Sequence, residues 1–192
     1  MIKQAPSDIG LHELLQKRWS IRSFDQRNLS FQDIEKLFQA AAWSSSSMNE
    51  QPWRFVYAER GKGHYDDILS VLMPGNALWA CNAPLLIAVF AKKYFSDGTT
   101  NLHAWHDVGA ACMSLLLQGV SLGIYGHQMG GFDREKAKLV FGNSNDYDIV
   151  SIMALGYPGE ADALEEPFKT RETTPRVRRT PELFAFTSFE QL

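Results

Sequence analysis

The sequence has 192 residues, 45% of them hydrophobic and 21% charged, with a formal net charge of −3. That length can bury a core within one domain of ordinary size, and the slight acidic excess excludes a general electrostatic attraction to nucleic acid or anionic membrane surfaces. Two cysteines without metal-type spacing, Cys81 and Cys112, exclude a disulfide scaffold and point to a reducing cytoplasm. The opening MIKQAPSDIG lacks the apolar core of a secretory signal. The longest apolar run, Ala83 to Ala91, falls short of the roughly 20 residues needed to span a bilayer.

Along the chain, residues 8–18 carry Ile9, Leu11, Leu14 and Leu15 at helical spacing. Ser30 and Asp33 resemble a capping box and start a second helix with Ile34, Leu37, Phe38 and Ala41 as its apolar stripe, ending in the serine run at 44–47. Residues 54–59 read as a strand and 64–72 as a helix. PGNALWACNAP follows as a turn, a short helix and a stop. PLLIAVFA, 84–91, is continuously apolar and so predicts a strand buried on both faces. Residues 96–101 form a loop, and a helix from Ala104 to Leu122 carries small residues suited to close packing. Then come a short strand in GIYGHQM, a helix from Asp133 to Phe141, a turn-rich GNSNDYD and a last strand in IVSIMALGYP. The irregular alternation predicts an α+β fold whose central sheet is mixed or antiparallel and flanked by helices. Beyond Pro158 the chain turns polar, with three prolines, and closes on the apolar group Leu183, Phe184, Phe186 and Phe189. Such an arm has to bury its apolar end, and the surface of a partner subunit is one place.

Several stretches carry chemistry. RWSIRSF, 18–24, sets Arg18, Ser20 and Arg22 in an apolar frame, which fits either an amphipathic helix end or an anion clamp. In SSSSMNEQPWRF, Asn49 and Gln51 each offer a donor and an acceptor, suited to the edge of a planar heterocycle, or to a loop held by its own hydrogen bonds. In GIYGHQMGGFDREK, Gly130 and Gly131 let backbone approach a flat ligand; a plain strand-to-helix turn reads equally well. KTRETTPRVRRT gathers Lys169, Arg171, Arg176, Arg178 and Arg179 against Glu172, a pattern usually found on a solvated face. His103, His106 and Asp107 lack a metal-protease pattern and read as a structural or surface group. The chain carries no nucleophile elbow, Walker loop or GxGxxG after a strand.

In order and spacing these stretches resemble the nitroreductase family of FMN-dependent oxidoreductases, over nearly the whole chain. The matching residues are Arg18, Ser20, Arg22 and Phe24; then Ser46, Ser47, Asn49, Gln51, Pro52, Trp53 and Phe55; then Gly123 with Gly130, Gly131 and Phe132; and the LGYP of Leu155 to Pro158. The resemblance implies one nitroreductase-like, FMN-binding domain over 1–192, working as a homodimer, with 159–192 as an arm exchanged onto the partner subunit. It implies that Arg18, Ser20 and Arg22 hold the FMN phosphate and ribityl chain, with Trp19 among the cofactor-binding residues, joined by a C-terminal arginine best matched by Arg179, with Arg176 and Arg178 as alternatives. Ser47, Asn49 and Gln51 would meet the isoalloxazine edge. Gln128, Met129, Gly130 and Gly131 would lie along the ring, with a backbone amide near Gly130 facing flavin N5. The implied activity is cytoplasmic, ping-pong transfer of hydride from NADH or NADPH through FMN to a nitroaromatic, quinone or related electrophile. No catalytic side chain, metal, membrane or nucleic acid is involved. Within the family, flavin-dependent dehydrogenation or dehalogenation is the alternative; outside it, a flavin-binding sensor or store without turnover. Position 19 departs from the family pattern, being Trp where many relatives carry a basic residue.

Overall fold

The continuous apolar run becomes the spine of the molecule. The computed structural model describes residues 3–5, 10–142 and 144–191. Its four-stranded sheet has the order β1 (Trp53–Glu59), β2 (Leu85–Lys92), β4 (Tyr147–Gly156), β3 (Tyr125–Met129). From Leu85 to Ala91 no residue is more than 9% exposed, because β2 is interior in the sheet and covered on both faces. All three pairings are antiparallel, so of the two sheet types expected the antiparallel one forms. The register between β2 and β4 shifts at Val89/Phe90, a local bulge.

The alternation of the strands divides the core in two. Leu86, Ala88, Phe90, Ile152 and Ala154 face a layer of α3 (Tyr65–Ser70), α4 (Pro74–Ala80) and α6 (Arg134–Phe141), joined by Trp19, Ile21 and Phe24. Leu85, Ile87, Val89, Met153 and Leu155 face α2 (Phe31–Ala42) and α5 (Ala104–Ser121). Ser30 caps α2, its hydroxyl oxygen accepting the Asp33 amide at 3.1 Å, and Ile34, Leu37 and Ala41 are its buried stripe as the spacing predicts. The Gly of LGYP has a packing reason: a Cβ on Gly156 would sit 2.5 Å from Pro84 Cδ and 2.9 Å from Phe24 Cδ1.

Two expectations need correction, and the polar arm shows more structure than the sequence suggests. The helix over 8–18 shrinks to α1 (Glu13–Lys17); Leu11 and Leu15 are 39% and 46% exposed, so the periodic pattern has no buried face to dictate a longer helix. Asp8 and Ile9 lie outside the described residues. GNSNDYD is less loop than expected, since β4 starts at Tyr147; Asn143 is outside the described residues. The polar arm divides in two. Residues 159–176, with α7 (Phe168–Thr173), run back over the chain's own Lys3 and residues 16–23: Gly159 N–H donates to the Ser23 carbonyl at 2.9 Å, and Lys3 Nζ to the Arg171 carbonyl at 2.7 Å. Leu164 is buried, and Phe168 packs on the core. Farther on, Leu183, Phe184 and Phe189 are 61%, 63% and 92% exposed.

Candidate functional site

The segment 18–24 is clamped from both sides. Phe24 bridges to Pro158, at the end of β4, and stacks on Trp79 with 6.3 Å between ring centroids. His127, on β3, lies 4.7 Å from the Trp79 ring, and its Nδ1 is 2.9 Å from the Ile21 carbonyl oxygen. A carbonyl only accepts, so Nδ1 carries the proton. Burial, with the Arg22 guanidinium beside it, lowers the His127 pKa to about 4, so the ring is neutral at physiological pH. From the other side comes Glu172, the acid that the sequence shows as a lone negative charge among arginines. It is 6% exposed, and its Oε1 accepts the amides of Arg22 at 2.9 Å and Ser23 at 3.2 Å. The carboxylate also lies 3.9 Å from the Arg22 guanidinium.

These contacts leave Arg22 facing a cavity of about 350 Å³, lined also by Asn76, Trp79 and Arg171. Asn76 connects the cavity to the glycine turn, its Nδ2 donating to the Gly131 carbonyl at 2.9 Å; Met73 N–H donates to the same oxygen at 3.1 Å. A Cβ on Gly131 would lie 2.8 Å from Asn76 Nδ2, so a larger residue there would displace the Asn76 amide. At Gly130 a Cβ would meet nothing within 4 Å, so the turn presents open space. Asn76 is therefore a site residue that sequence reasoning passed over. Its only signal is a helix N-terminus beside a proline, PGN, which is too common to single out. Glu172 and His127 are missed for a related reason, since their roles exist only through partners more than 100 positions away.

Not every expected contact faces this cavity. The Trp19 side chain, 5% exposed, is turned into the core with Lys3 Nζ 5.0 Å above its ring, and Met129 is 2% exposed in the same core. Both side chains are thus packed in the core rather than lining the cavity that Arg22 faces. Arg18 is half-buried; burial and the nearby Arg178 draw its pKa downward, yet a guanidinium stays charged at neutral pH. Ser20 is half-buried beside it. Gln128, exposed, meets Ser151 Oγ at 3.4 Å. Of the arm's arginines, Arg176 reaches the clamp, donating to the carbonyls of Arg18 and Gln16 (the latter at 2.6 Å), whereas Arg179 is exposed.

The loop 44–51 is built differently. Each of three serines has an assignment: Ser44 Oγ pairs with Ser114 Oγ at 2.6 Å, Ser46 Oγ accepts the Gln51 amide at 3.0 Å, and the Ser47 amide donates to the buried Asp107 carboxylate at 2.9 Å. Met48, Asn49 and Gln51 have φ of 53°, 55° and 52°, a left-handed conformation that costs a non-glycine residue about 1–2 kcal/mol. Strain of this kind is kept where a loop has a task. Asn49 and Gln51 are exposed there. The loop hangs from α5, on the face opposite the clamp, and precedes β1, the sheet edge opposite β3. Three inter-strand spacings, about 14 Å, separate those edges. One chain therefore brings Arg22, Asn76 and Gly131 together and keeps Ser47, Asn49 and Gln51 apart from them. In the HAWHD stretch, Asp107 anchors the loop and His106 stands exposed beside it, 3.1 Å from its carboxylate. Among the described residues no group of three His, Cys, Asp or Glu side chains could hold a metal ion, and no helix is long and apolar enough to cross a membrane.

Comparison with known proteins agrees with this architecture. The nitroreductase family profile matches residues 15–74 and 64–157. A protein of Archaeoglobus fulgidus provisionally named NADH dehydrogenase/NAD(P)H nitroreductase is 29% identical over 153 residues, covering 76% of this chain and 84% of that protein. A 15.4 kDa protein of Mycolicibacterium smegmatis from the ask 5′ region is 33% identical over 142 residues, 70% of this chain and 95% of its own. A solved structure described as an oxidoreductase containing FMN superposes with a TM-score of 0.89 at 29% identity, over 95% of this chain and 93% of that one. The chain belongs to the nitroreductase family, and its fold and site define it as an oxidoreductase of that family.

Proposed function

We propose that the protein is one FMN-binding domain that works as a homodimeric NAD(P)H oxidoreductase. The observation that carries this is the cavity in which Arg22 and Arg171 stand beside Asn76 and the glycine turn. The residues fit the group. Guanidinium forks and the Ser20 hydroxyl suit a phosphate dianion through charge-assisted hydrogen bonds, and the open space at Gly130 suits a flat ring. The chemistry FMN supplies when bound is hydride acceptance at N5 from NADH or NADPH and its delivery to a nitroaromatic, quinone or related electrophile. The chain's part is to hold the phosphate at Arg18, Ser20 and Arg22, to bring backbone at Gly130 and Gly131 against the ring, and to leave one face open to both substrates. No side chain has to move a proton.

The geometry supports a second subunit. Ser47, Asn49 and Gln51 lie on the wrong face and edge to reach a ligand held by Arg22 of the same chain, so their contacts to the ring edge come from the partner. Trp43, Met48, Leu102 and Phe189 are 88%, 87%, 85% and 92% exposed, apolar surface that a second copy would cover. The exposed end of the arm, carrying Arg179, packs there. Cys81 and Cys112 are free thiols, consistent with a reducing cytoplasm.

The test is the absorbance spectrum of the purified protein, identification of the flavin released on denaturation, and anaerobic titration with NADH and NADPH. The expected result is a yellow protein that releases FMN and bleaches with a nicotinamide, with parallel double-reciprocal lines when an acceptor is varied. A protein that does not bind FMN at micromolar concentration overturns the reading; one that binds it and is never bleached is a store or sensor.

A further inference from the structure

Arg22 cannot choose its own direction. It sits in an extended segment, and a long side chain there points where its backbone is held. The backbone on its N-terminal side is fixed by His127, which donates to the Ile21 carbonyl. On its own residue and the next it is fixed by Glu172, whose Oε1 takes both amides and whose Oε2 lies 3.1 Å from the Arg22 amide. Ser23 is fastened to the same arm twice more, its hydroxyl donating to the Glu160 carbonyl at 2.6 Å and its carbonyl accepting from Gly159. The Glu172 carboxylate is buried, yet its pairing to the Arg22 guanidinium is long, at 3.9 Å. Burying a carboxylate for so loose an ion pair would be unfavourable; here the backbone amides satisfy it, and those amides belong to the residue that must meet a phosphate.

We propose that Glu172 is a positioning residue for phosphate binding: through the amides of Arg22 and Ser23 it aims the Arg22 guanidinium into the cavity, and so makes cofactor affinity depend on docking of the arm's first half onto its own chain. The inference rests on the reading of Arg22 as a phosphate contact. It assigns Glu172 no contact with the phosphate, which a carboxylate would repel. Because the coupling is a binding free energy it is reciprocal, and FMN stabilises the docked arm by as much as the docked arm favours FMN.

Geometry and charge can be separated in part, because Oε1 takes both amides and Oε2 adds a second, longer bond to the Arg22 amide at 3.1 Å. Glu172→Gln keeps one oxygen for both amides, removes the charge and gives up the longer Oε2 bond to Arg22; Glu172→Asp keeps the charge and withdraws both acceptors by one methylene. FMN dissociation constants are measured by flavin fluorescence for both variants, in the natural chain and in Arg22→Ala. The expected result is that Glu172→Gln, which still offers one oxygen to both amides, loses several-fold less FMN affinity than Glu172→Asp, which loses about tenfold or more, as for buried amides left without an acceptor. In the Arg22→Ala background Glu172→Asp should cost less than about twofold more, since a residue that acts through Arg22 has nothing left to aim. An equal cost of Glu172→Asp in both backgrounds would show general destabilisation and overturn the proposal, as would wild-type affinity in Glu172→Asp, or loss in Glu172→Gln equal to that in Glu172→Asp. If Arg22→Ala alone leaves FMN affinity unchanged, it is the phosphate-clamp reading that fails. Limited proteolysis at the arm gives a readout independent of affinity: FMN should protect residues 159–176 in the natural chain and not in Glu172→Asp.

Discussion

The segment 18–24 and the loop 44–51 are both expected from sequence to meet the cofactor, and they are made by opposite means. The first is an extended stretch with little structure of its own, fixed by partners from β3 and from the arm some 150 positions away. Trp19, Ile21, Ser23 and Phe24 are all buried. The second is exposed and folded largely by itself, through its own serines and three left-handed residues, with Asp107 as its buried anchor. The difference teaches where each is vulnerable. The clamp fails when a distant contact is lost, whereas the loop fails when its local geometry is relaxed or its buried Asp107 anchor is cut.

The largest effect that separates them is truncation. Cutting after Pro158 removes Glu172, Arg176 and the core contacts of Leu164 and Phe168, and should lower stability by at least about 3 kcal/mol and abolish tight FMN binding. Cutting after Val177 leaves the docked half in place and should weaken the dimer, lowering FMN affinity far less than the first cut does. Urea unfolding, size-exclusion chromatography and FMN titration on the two truncated chains check this; equal FMN affinity in both would remove the distinction between the arm's halves.

Next comes pH. His127 has its pKa lowered from 6.5 to about 4, so between those values the unfolded chain binds a proton that the folded one does not. Its contribution to stability is fully present above about 6.5 and is lost as pH falls toward 4. His127→Gln keeps a donor for the Ile21 carbonyl and should flatten the pH dependence of urea unfolding across that window. An unchanged slope would mean that other groups carry it.

On the loop side, Asp107→Ala leaves the Ser47 amide without its acceptor. A loss of about 1–3 kcal/mol is expected, with a shifted flavin spectrum and FMN phosphate affinity nearly unchanged, since the clamp is untouched. Met48→Gly is the smallest change. Met48 is 87% exposed at φ 53°, so glycine relieves strain without removing packing. Allowing for the entropy glycine adds to the unfolded chain, stabilisation of up to about 1 kcal/mol should appear in urea unfolding. A destabilised variant would show that the Met48 side chain is held by something, a second subunit being the first candidate.

What the sequence by itself determined is what local pattern can carry. Seven uninterrupted buried residues of β2 were legible because only an interior strand can be apolar on both faces. The cap at Ser30 and the strand-to-helix turn at Gly130 and Gly131 were legible because residue type and spacing there answer to backbone geometry, and the family was legible in the stretches 18–24 and 44–55. Only the tertiary structure decided the rest. It gave α1 five residues, since a helical pattern with no face to bury does not fix a helix's length. It turned Trp19 inward and made Glu172, a lone acid in a basic run, the residue that holds Arg22. It docked half of the polar arm at home. It also set the loop 44–51 and the clamp on opposite faces and edges of the sheet, because strand order and side-chain direction are properties of the assembled sheet and of no segment within it.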